Sequence, residues 1–237
     1  MTNPLAAMKD GERGRPILFS APMVRALLAG TKTQTRRVIK PQPTVHPNGA
    51  WSWNGRNGGF VGAAGTHVDE GFPEAARYYA RIQPGDRLWV REAWKLGLAD
   101  HRCPGYRADM IYQCGKPIPD GPHRWRPSIH MPRWASRLTL IVTDVRVQRL
   151  QDISEEDADA EGFGGDFPDK AMPDVFPPRG GNGWGDFSIA QCYGHLWDSI
   201  NGAGSWDANQ WVVAYTFTTH ASNIDALPSP ASAEESR

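Results

Sequence analysis

Glycine and proline interrupt this chain so often that a helical bundle has no room in it. The 25 glycines and 20 prolines make up about 19% of 237 residues, against an ordinary ~12%. Backbone so frequently broken favours short strands, short helices and long loops. The clearest periodic stretch is 138–147 (LTLIVTDVRV), whose β-branched, alternating character reads as a strand. Residues 17–20 (ILFS), 87–91 (RLWVR, after a Pro-Gly-Asp turn) and 211–218 (WVVAYTFT) read the same way. Helices are expected from Pro22 to Ala29, stopped by Gly30, and over 188–199, which carries Ala190, Tyr193, Leu196 and Trp197. A further short helix is expected from Ser154, with Asp157 at the capping-box position, running to Glu161 and stopped by Gly162. The fold class is therefore α+β: a small β-barrel with short helices plugging its ends.

Two stretches, 41–76 and 164–186, are rich in Gly, Pro and Trp and lack sustained periodicity. They read as long loop insertions within a single domain at 15–220. Residues 1–14 read as a flexible arm and 221–237, small and polar, as a disordered tail. Ten tryptophans are many for such a chain, and some are expected to line a pocket or stacking surface.

Net charge is zero but unevenly spread. Residues 1–149 carry a net +12 and residues 150–237 a net −12. This excludes a uniformly basic coat for nucleic acid, while leaving either a segregated basic face or mutual neutralisation of the halves. Three cysteines, Cys103, Cys114 and Cys192, do not form a disulfide framework and fit a reducing compartment. No apolar run approaches the ~18 residues that span a membrane, and the first residues lack a signal-peptide core, so a cytoplasmic location is expected. His101, Cys103, Cys114 and His123 hold zinc-ligand chemistry without a CxxC anchor, and neither a metal nor another cofactor is expected.

Three clusters can carry chemistry. The first is the turn 30–37 (GTKTQTRR), with three hydroxyls and three cations. A part-buried Lys32 beside Arg36 and Arg37 would have a lowered pKa and a usable amine; the competing reading is a solvated basic turn. The second is Glu161, placed where the helix dipole disfavours a carboxylate and so suited to acid–base work, or else one more exposed carboxylate in an acidic run. The third is the pair of segments 89–94 (WVREAW) and 129–134 (IHMPRW). In these, Trp89, Arg91, Glu92, Trp94, Arg133 and Trp134 can stack on or hydrogen-bond a planar base. An ordinary strand with a buried Trp is the alternative.

These motifs, in their order, resemble the ASCH family, relatives of the PUA barrel. They are Gly30/Lys32/Thr35/Arg37 as G-x-K-x-x-T-x-R, residues 85–92 as G-D-x-L-x-V-x-E, and Asp152-Ile153-Ser154 running to Glu161-Gly162. The segments 125–137, 196–217 and 17–37 resemble a longer branch of that family, common in phages. The resemblance implies a PUA-like barrel and, by analogy with small bacterial enzymes that deacylate N4-acetylcytidine, a catalytic set of Lys32, Thr35 and Glu161. Glu161 lies seven residues after Ser154, as the family's Glu follows its capping hydroxyl. Arg36 and Arg37 both fit the family's arginine. The implied substrate is a modified nucleobase or nucleoside. The alternatives are an RNA- or single-strand-binding module and a phage-associated interaction protein.

Overall fold

The computed structural model describes residues 14–55, 58–62, 67–97, 103–119, 121, 124–162 and 188–228. In chain order its strands and α-helices are β1 (Arg15–Leu18), α1 (Ala21–Ala29), β2 (Gln34–Val38), β3 (Thr44–Val45), β4 (Trp51–Gly55), β5 (Gly58–Val61), α2 (Val68–Tyr78), β6 (Arg87–Arg91), β7 (Trp94–Leu96), β8 (Pro104–Tyr106), β9 (Ile111–Tyr112), β10 (Thr139–Arg149), α3 (Glu155–Ala160), α4 (Ile189–Asn201) and β11 (Trp211–His220). The class is mixed α+β, mostly strands with a few short helices. The main sheet has the order β1-β6-β10-β11-β2, and β3-β4-β5 and β7-β8-β9 form two smaller sheets. The main order is open at both ends, so the described strands do not close into the barrel expected from the sequence. No helix among the described residues is long and apolar enough to cross a membrane.

The chain divides into two compact units, 1–30 with 85–142 and 218–237, and 31–84 with 143–217.

In the first unit β6 is central. It pairs parallel with β1 (Ile17 opposite Val90) and antiparallel with the start of β10 (Leu140 opposite Leu88). Leu88, Trp89 and Val90 are all buried in succession, as a strand covered on both sides requires. Helix α1 has Pro22 in its first turn and ends on Gly30 at φ 76°, a left-handed cap that a side chain would strain. Trp94, Tyr106, Met131 and Ala135 pack as one apolar cluster. Residues 221–228, read from the sequence as the start of a loose tail, pack here. Ile224 is buried, and the Asn223 amide donates to the carbonyls of Arg133 and Ser136 at 2.9 and 2.7 Å. One isoleucine and one turn-forming Asn in a polar run are too weak a pattern to stand out in sequence.

In the second unit β2 pairs antiparallel with β11, with Thr35 opposite Tyr215 and Arg36 opposite Ala214. The stretch 41–76, expected to be loop, folds among its described residues into β3, β4, β5 and most of α2. In β4, Trp51 and Trp53 point inward and Ser52 and Asn54 outward. Trp51 and Trp53 meet Phe72 of α2 edge-on, with centroids at 5.9 and 5.5 Å, and Phe72 meets Trp211 at 5.0 Å. These tryptophans therefore form core rather than pocket wall. Each large side chain so buried contributes about 1.5–3 kcal/mol. The other expected loop, 164–186, lies outside the described residues, as do His101 and His123.

Helix α4 has a complete capping box between Ser188 and Gln191, and it buries Cys192, Tyr193, Leu196 and Trp197 against Leu150, Ile153, Ala158 and Val212. Gly194 lets it approach Trp206, whose ring would lie 2.9 Å from an added Cβ. Trp206 cannot easily withdraw. Its ring meets Tyr193 at 6.3 Å, and its backbone N–H donates to Asp198 Oδ1 at 2.7 Å. Gly194→Ala is expected to lose about 1–2 kcal/mol, overpacking outweighing the better helix propensity of alanine. Urea denaturation measures this, and a stability gain would show that the ring yields.

Candidate active site

The second unit brings the 30–37 turn onto α3. Thr33 N–H donates to the Ala160 carbonyl at 2.8 Å, Phe217 N–H donates to the Thr33 carbonyl at 2.9 Å, and Lys32 and Glu161 form an isolated antiparallel bridge. The basic turn is thus fixed between β11 and the end of α3 by backbone pairing, before any side chain acts.

Lys32 is 1% exposed and Glu161 7%. The Lys32 Nζ donates to Glu161 Oε2 and to the Glu161 carbonyl, both at 2.7 Å. Glu161 Oε1 accepts from Arg36 Nη1 at 3.2 Å. Arg36 Nη2 donates to Asp157 Oδ2 at 2.7 Å, and Asp157 Oδ1 accepts from Gln34 at 3.1 Å and Arg146 at 2.8 Å. The Tyr193 hydroxyl of α4 hydrogen-bonds Glu161. The result is a buried chain of charge running from Lys32 through Glu161, Arg36 and Asp157 to Arg146. Acidic residues of the second half of the sequence here meet basic residues of the first half. In this unit the opposite charges neutralise each other rather than segregate.

Alternation along β2 explains the arrangement. Gln34 and Arg36 share one side of the strand and both reach α3. Arg37 is exposed, yet near enough for its charge to be felt at Lys32 and Glu161. Thr35 is buried on β2. Among the described residues, no hydrogen bond joins its hydroxyl to Lys32 or Glu161.

Burial pulls the Lys32 pKa down from the ordinary lysine value. Glu161 pulls it back by charge and hydrogen bond, Arg37 and Arg36 push it down again, and the balance is a lowered value. Burial likewise drives the Tyr193 hydroxyl well above the usual tyrosine range, assisted by the Glu161 charge. Tyr193 therefore stays a proton donor to the carboxylate. For Asp157, burial raises the pKa, but hydrogen bonds from Arg146 and Gln34 and the charges of Arg36 and Arg146 outweigh it and hold it below the usual value.

That depression has a consequence for stability. A carboxyl with a lower pKa in the folded than in the unfolded chain stabilises the fold above the unfolded value, about 3.9, and ceases to as pH falls through the folded one. Asp157→Asn is thus expected to cost about 1–2 kcal/mol at pH 7. The gap to wild type should begin to narrow below about pH 4 and close as pH falls through the lowered folded value. Chemical denaturation across pH 3–7 measures it, and a gap that does not vary with pH would show that Asp157 carries no such linkage.

Two atoms in this cluster are orphaned. Gln34 Oε1 and Arg36 Nε are buried with no hydrogen-bond partner in the structure. Buried polar groups without partners are uncommon and concentrate where strain or chemistry is stored.

The residues expected to hold a planar base lie in the first unit, and most of them already have partners within the protein. The Arg91 guanidinium sits 4.5 Å over the Trp89 ring and donates to the Ile129 carbonyl. Glu92 is buried, and its two oxygens accept from Arg137 at 2.9 and 3.0 Å. Trp94 is buried, meets Trp134 edge-on at 5.9 Å and receives Arg126 over its ring at 5.2 Å. Arg133 is forked onto Asp225, with its closest contact at 2.6 Å. Trp134 is 50% exposed.

Sequence reading missed Asp157, Tyr193, Gln34 and Arg146 as members of the Lys32–Glu161 cluster. Ser154 does cap α3 by accepting from Asp157 N–H at 3.1 Å, but the Asp157 carboxylate serves the cations of β2 and β10 rather than closing a capping box. Spacing in α3 holds the missed signal: Asp157 and Glu161 are an i,i+4 pair and so share one face. Among the described residues, no group of three or more His, Cys, Asp or Glu is arranged to hold a metal ion.

Compared with known proteins, the chain matches no family model, no curated protein and no solved structure.

Proposed function

We propose that this protein hydrolyses an N-acylated nucleobase or nucleoside, with Lys32 and Glu161 at the reacting centre. The observation that carries the reading is the buried contact between the Lys32 ammonium and the Glu161 carboxylate at 2.7 Å, with Arg36 on the other carboxylate oxygen. The order of motifs that resembles the ASCH family supports it, and kinship of the open main sheet with the PUA-like fold is proposed on the same ground.

In this reading Lys32, its pKa lowered by burial, passes through the neutral amine and takes a proton from a water molecule. The water oxygen attacks the acyl carbon. The developing oxyanion is met by donors of the 30–37 turn, Thr35 and Arg37 among them. The C–N bond then breaks, and the proton returns through Glu161 to the exocyclic nitrogen, giving a free carboxylic acid and the amine. Arg36 and Tyr193 hold Glu161 in place for that transfer. The test is a turnover screen of wild type and Lys32→Met against N4-acylated cytidines and other acylated nucleosides. No turnover of any member by the wild type would sink the reading.

One observation favours a second reading, in which the first unit binds single-stranded nucleic acid. The half-exposed Trp134 stands beside Trp94 and Arg126, a stacking surface with a cation. Binding of that kind weakens steeply with salt, with a slope near −0.7 per neutralised phosphate, whereas nucleoside turnover does not.

A further inference from the structure

We propose that Cys103 and Cys114 form a reversible dithiol–disulfide site that exchanges with small-molecule disulfides. Strand register brings the two together. Strands β8 and β9 pair antiparallel, with Gly105 opposite Tyr112 and Tyr106 opposite Ile111. The same pairing carried outward sets position 103 against position 114, and the intervening Gln113 N–H donates to the Pro104 carbonyl at 2.8 Å. A turn closed by Gly115 N–H to the Tyr112 carbonyl at 2.8 Å, with Gly115 at φ 83°, presents Cys114 beside its partner. Facing residues of an antiparallel pair have Cα atoms about 4.5–5.5 Å apart, inside the range a disulfide spans.

The side chains meet accordingly. Cys114 Sγ accepts from the Lys116 backbone N–H and from the Cys103 thiol. Cys114 is exposed, Cys103 is half-buried and Cys192 is buried in the core under α4. Exposure makes Cys114 the attacking sulfur, and proximity makes Cys103 the resolving one. The Lys116 N–H first, and then the Cys103 thiol, hold the Cys114 thiol below its ordinary pKa, which enlarges its thiolate fraction.

The exchange balances in two steps. The Cys114 thiolate attacks one sulfur of RS–SR. That S–S bond breaks, a Cys114–SR bond forms, and RS⁻ leaves to take up a proton. Cys103 then loses its proton and attacks the Cys114 sulfur, expelling the second RS⁻, which is also protonated. The two protein thiols are oxidised by two electrons and RS–SR is reduced to two RSH. The bond closes the open end of the β8–β9 hairpin. That hairpin carries Tyr106, over whose ring the Arg137 guanidinium sits at 3.9 Å.

To test this, the full chain is incubated with oxidised glutathione, quenched in acid and mapped by mass spectrometry without reduction. The expected result is a link between positions 103 and 114, reversed by dithiothreitol, with Cys192 unmodified. Cys103→Ser should stop at a stable glutathione adduct on Cys114. Cys114→Ser should react at least ~10-fold more slowly than wild type. The preference for this link should vanish when the incubation is repeated in guanidinium. A persistent adduct on Cys114 of the wild type, a link through Cys192 or between chains, or stoichiometric zinc released on thiol modification would each overturn the proposal.

Discussion

Lys32→Met is expected to lower turnover of an N-acylated nucleoside by about a thousandfold, the range general-base removal usually gives. Methionine keeps the length and apolar stem of lysine and removes the amine, so the 1% exposed site stays filled. Removing one partner from a buried ion pair ordinarily destabilises by about 3–5 kcal/mol, because the other is left charged and unpaired. Here Arg36 still holds Glu161 Oε1 at 3.2 Å and Tyr193 still reaches the carboxylate. The loss of stability should therefore fall below that range. Turnover and stability then separate the two roles the geometry allows. A catalytic Lys32 predicts a folded, inactive protein whose kcat collapses. A lysine that only fastens the 30–37 turn to α3 predicts lower stability with kcat intact, and that result would remove the enzymatic reading. Glu161→Gln is the companion variant. It keeps the hydrogen-bonding shape toward Lys32 and Arg36 but cannot relay a proton, so it should fold and fail to turn over.

The largest effect on stability is expected at Arg137→Met, about 3–5 kcal/mol at neutral pH. Arg137 is the only cation bonded to Glu92 among the described contacts. It forks onto Glu92 at 2.9 and 3.0 Å and onto Asp109 at 2.7 and 3.1 Å, while its guanidinium lies on the Tyr106 ring. Glu92 is 1% exposed. Burial already pushes its carboxyl above the ordinary value, Arg137 pulls it back by hydrogen bond and charge, and Asp109 adds a small upward push. Without Arg137 only the upward influences remain. A carboxyl whose folded pKa lies above its unfolded one favours the fold at low pH, and that contribution is lost as pH rises through the folded value. The variant's deficit should therefore be smallest near pH 4 and grow toward neutrality. Chemical denaturation of wild type and variant across pH 4–8 checks this, and a deficit that shrinks on raising the pH would refute the account. Arg137→Lys keeps the charge without the planar fork and should recover only part of the loss.

Glu92 also shows where residue type misleads. In sequence it is one of several polar groups flanked by Trp89, Arg91 and Trp94, and it reads as a contact for a planar base. In the structure both of its oxygens are taken by Arg137, a residue no local pattern connects to it across 45 positions. Arg133 is similar, because its partner Asp225 lies in a segment that reads as disordered tail. Trp51 and Trp53 read as loop aromatics, yet the W-S-W-N alternation that makes β4 is short, and Phe72, which buries it, comes from α2.

Sequence by itself determined the elements with a strong local cause. Gly30 ends α1 because only a residue without Cβ takes that left-handed cap easily, and Ser154 starts α3 because its hydroxyl accepts a free helical N–H. The runs 87–91 and 139–149 are strands because β-branched and aromatic residues fit a pleated, buried surface. Tertiary structure decided which charges meet. Lys32 and Glu161 are 129 residues apart, and they touch because backbone pairing of Thr33 with Ala160 and Phe217 fixes the turn against α3. The same holds for the order of the strands, which ends open where local pattern implied closure. Local periodicity encodes which face of an element is apolar. Which element covers that face, and which ion neutralises a buried charge, depends on contacts between distant segments, and these only the folded chain brings together.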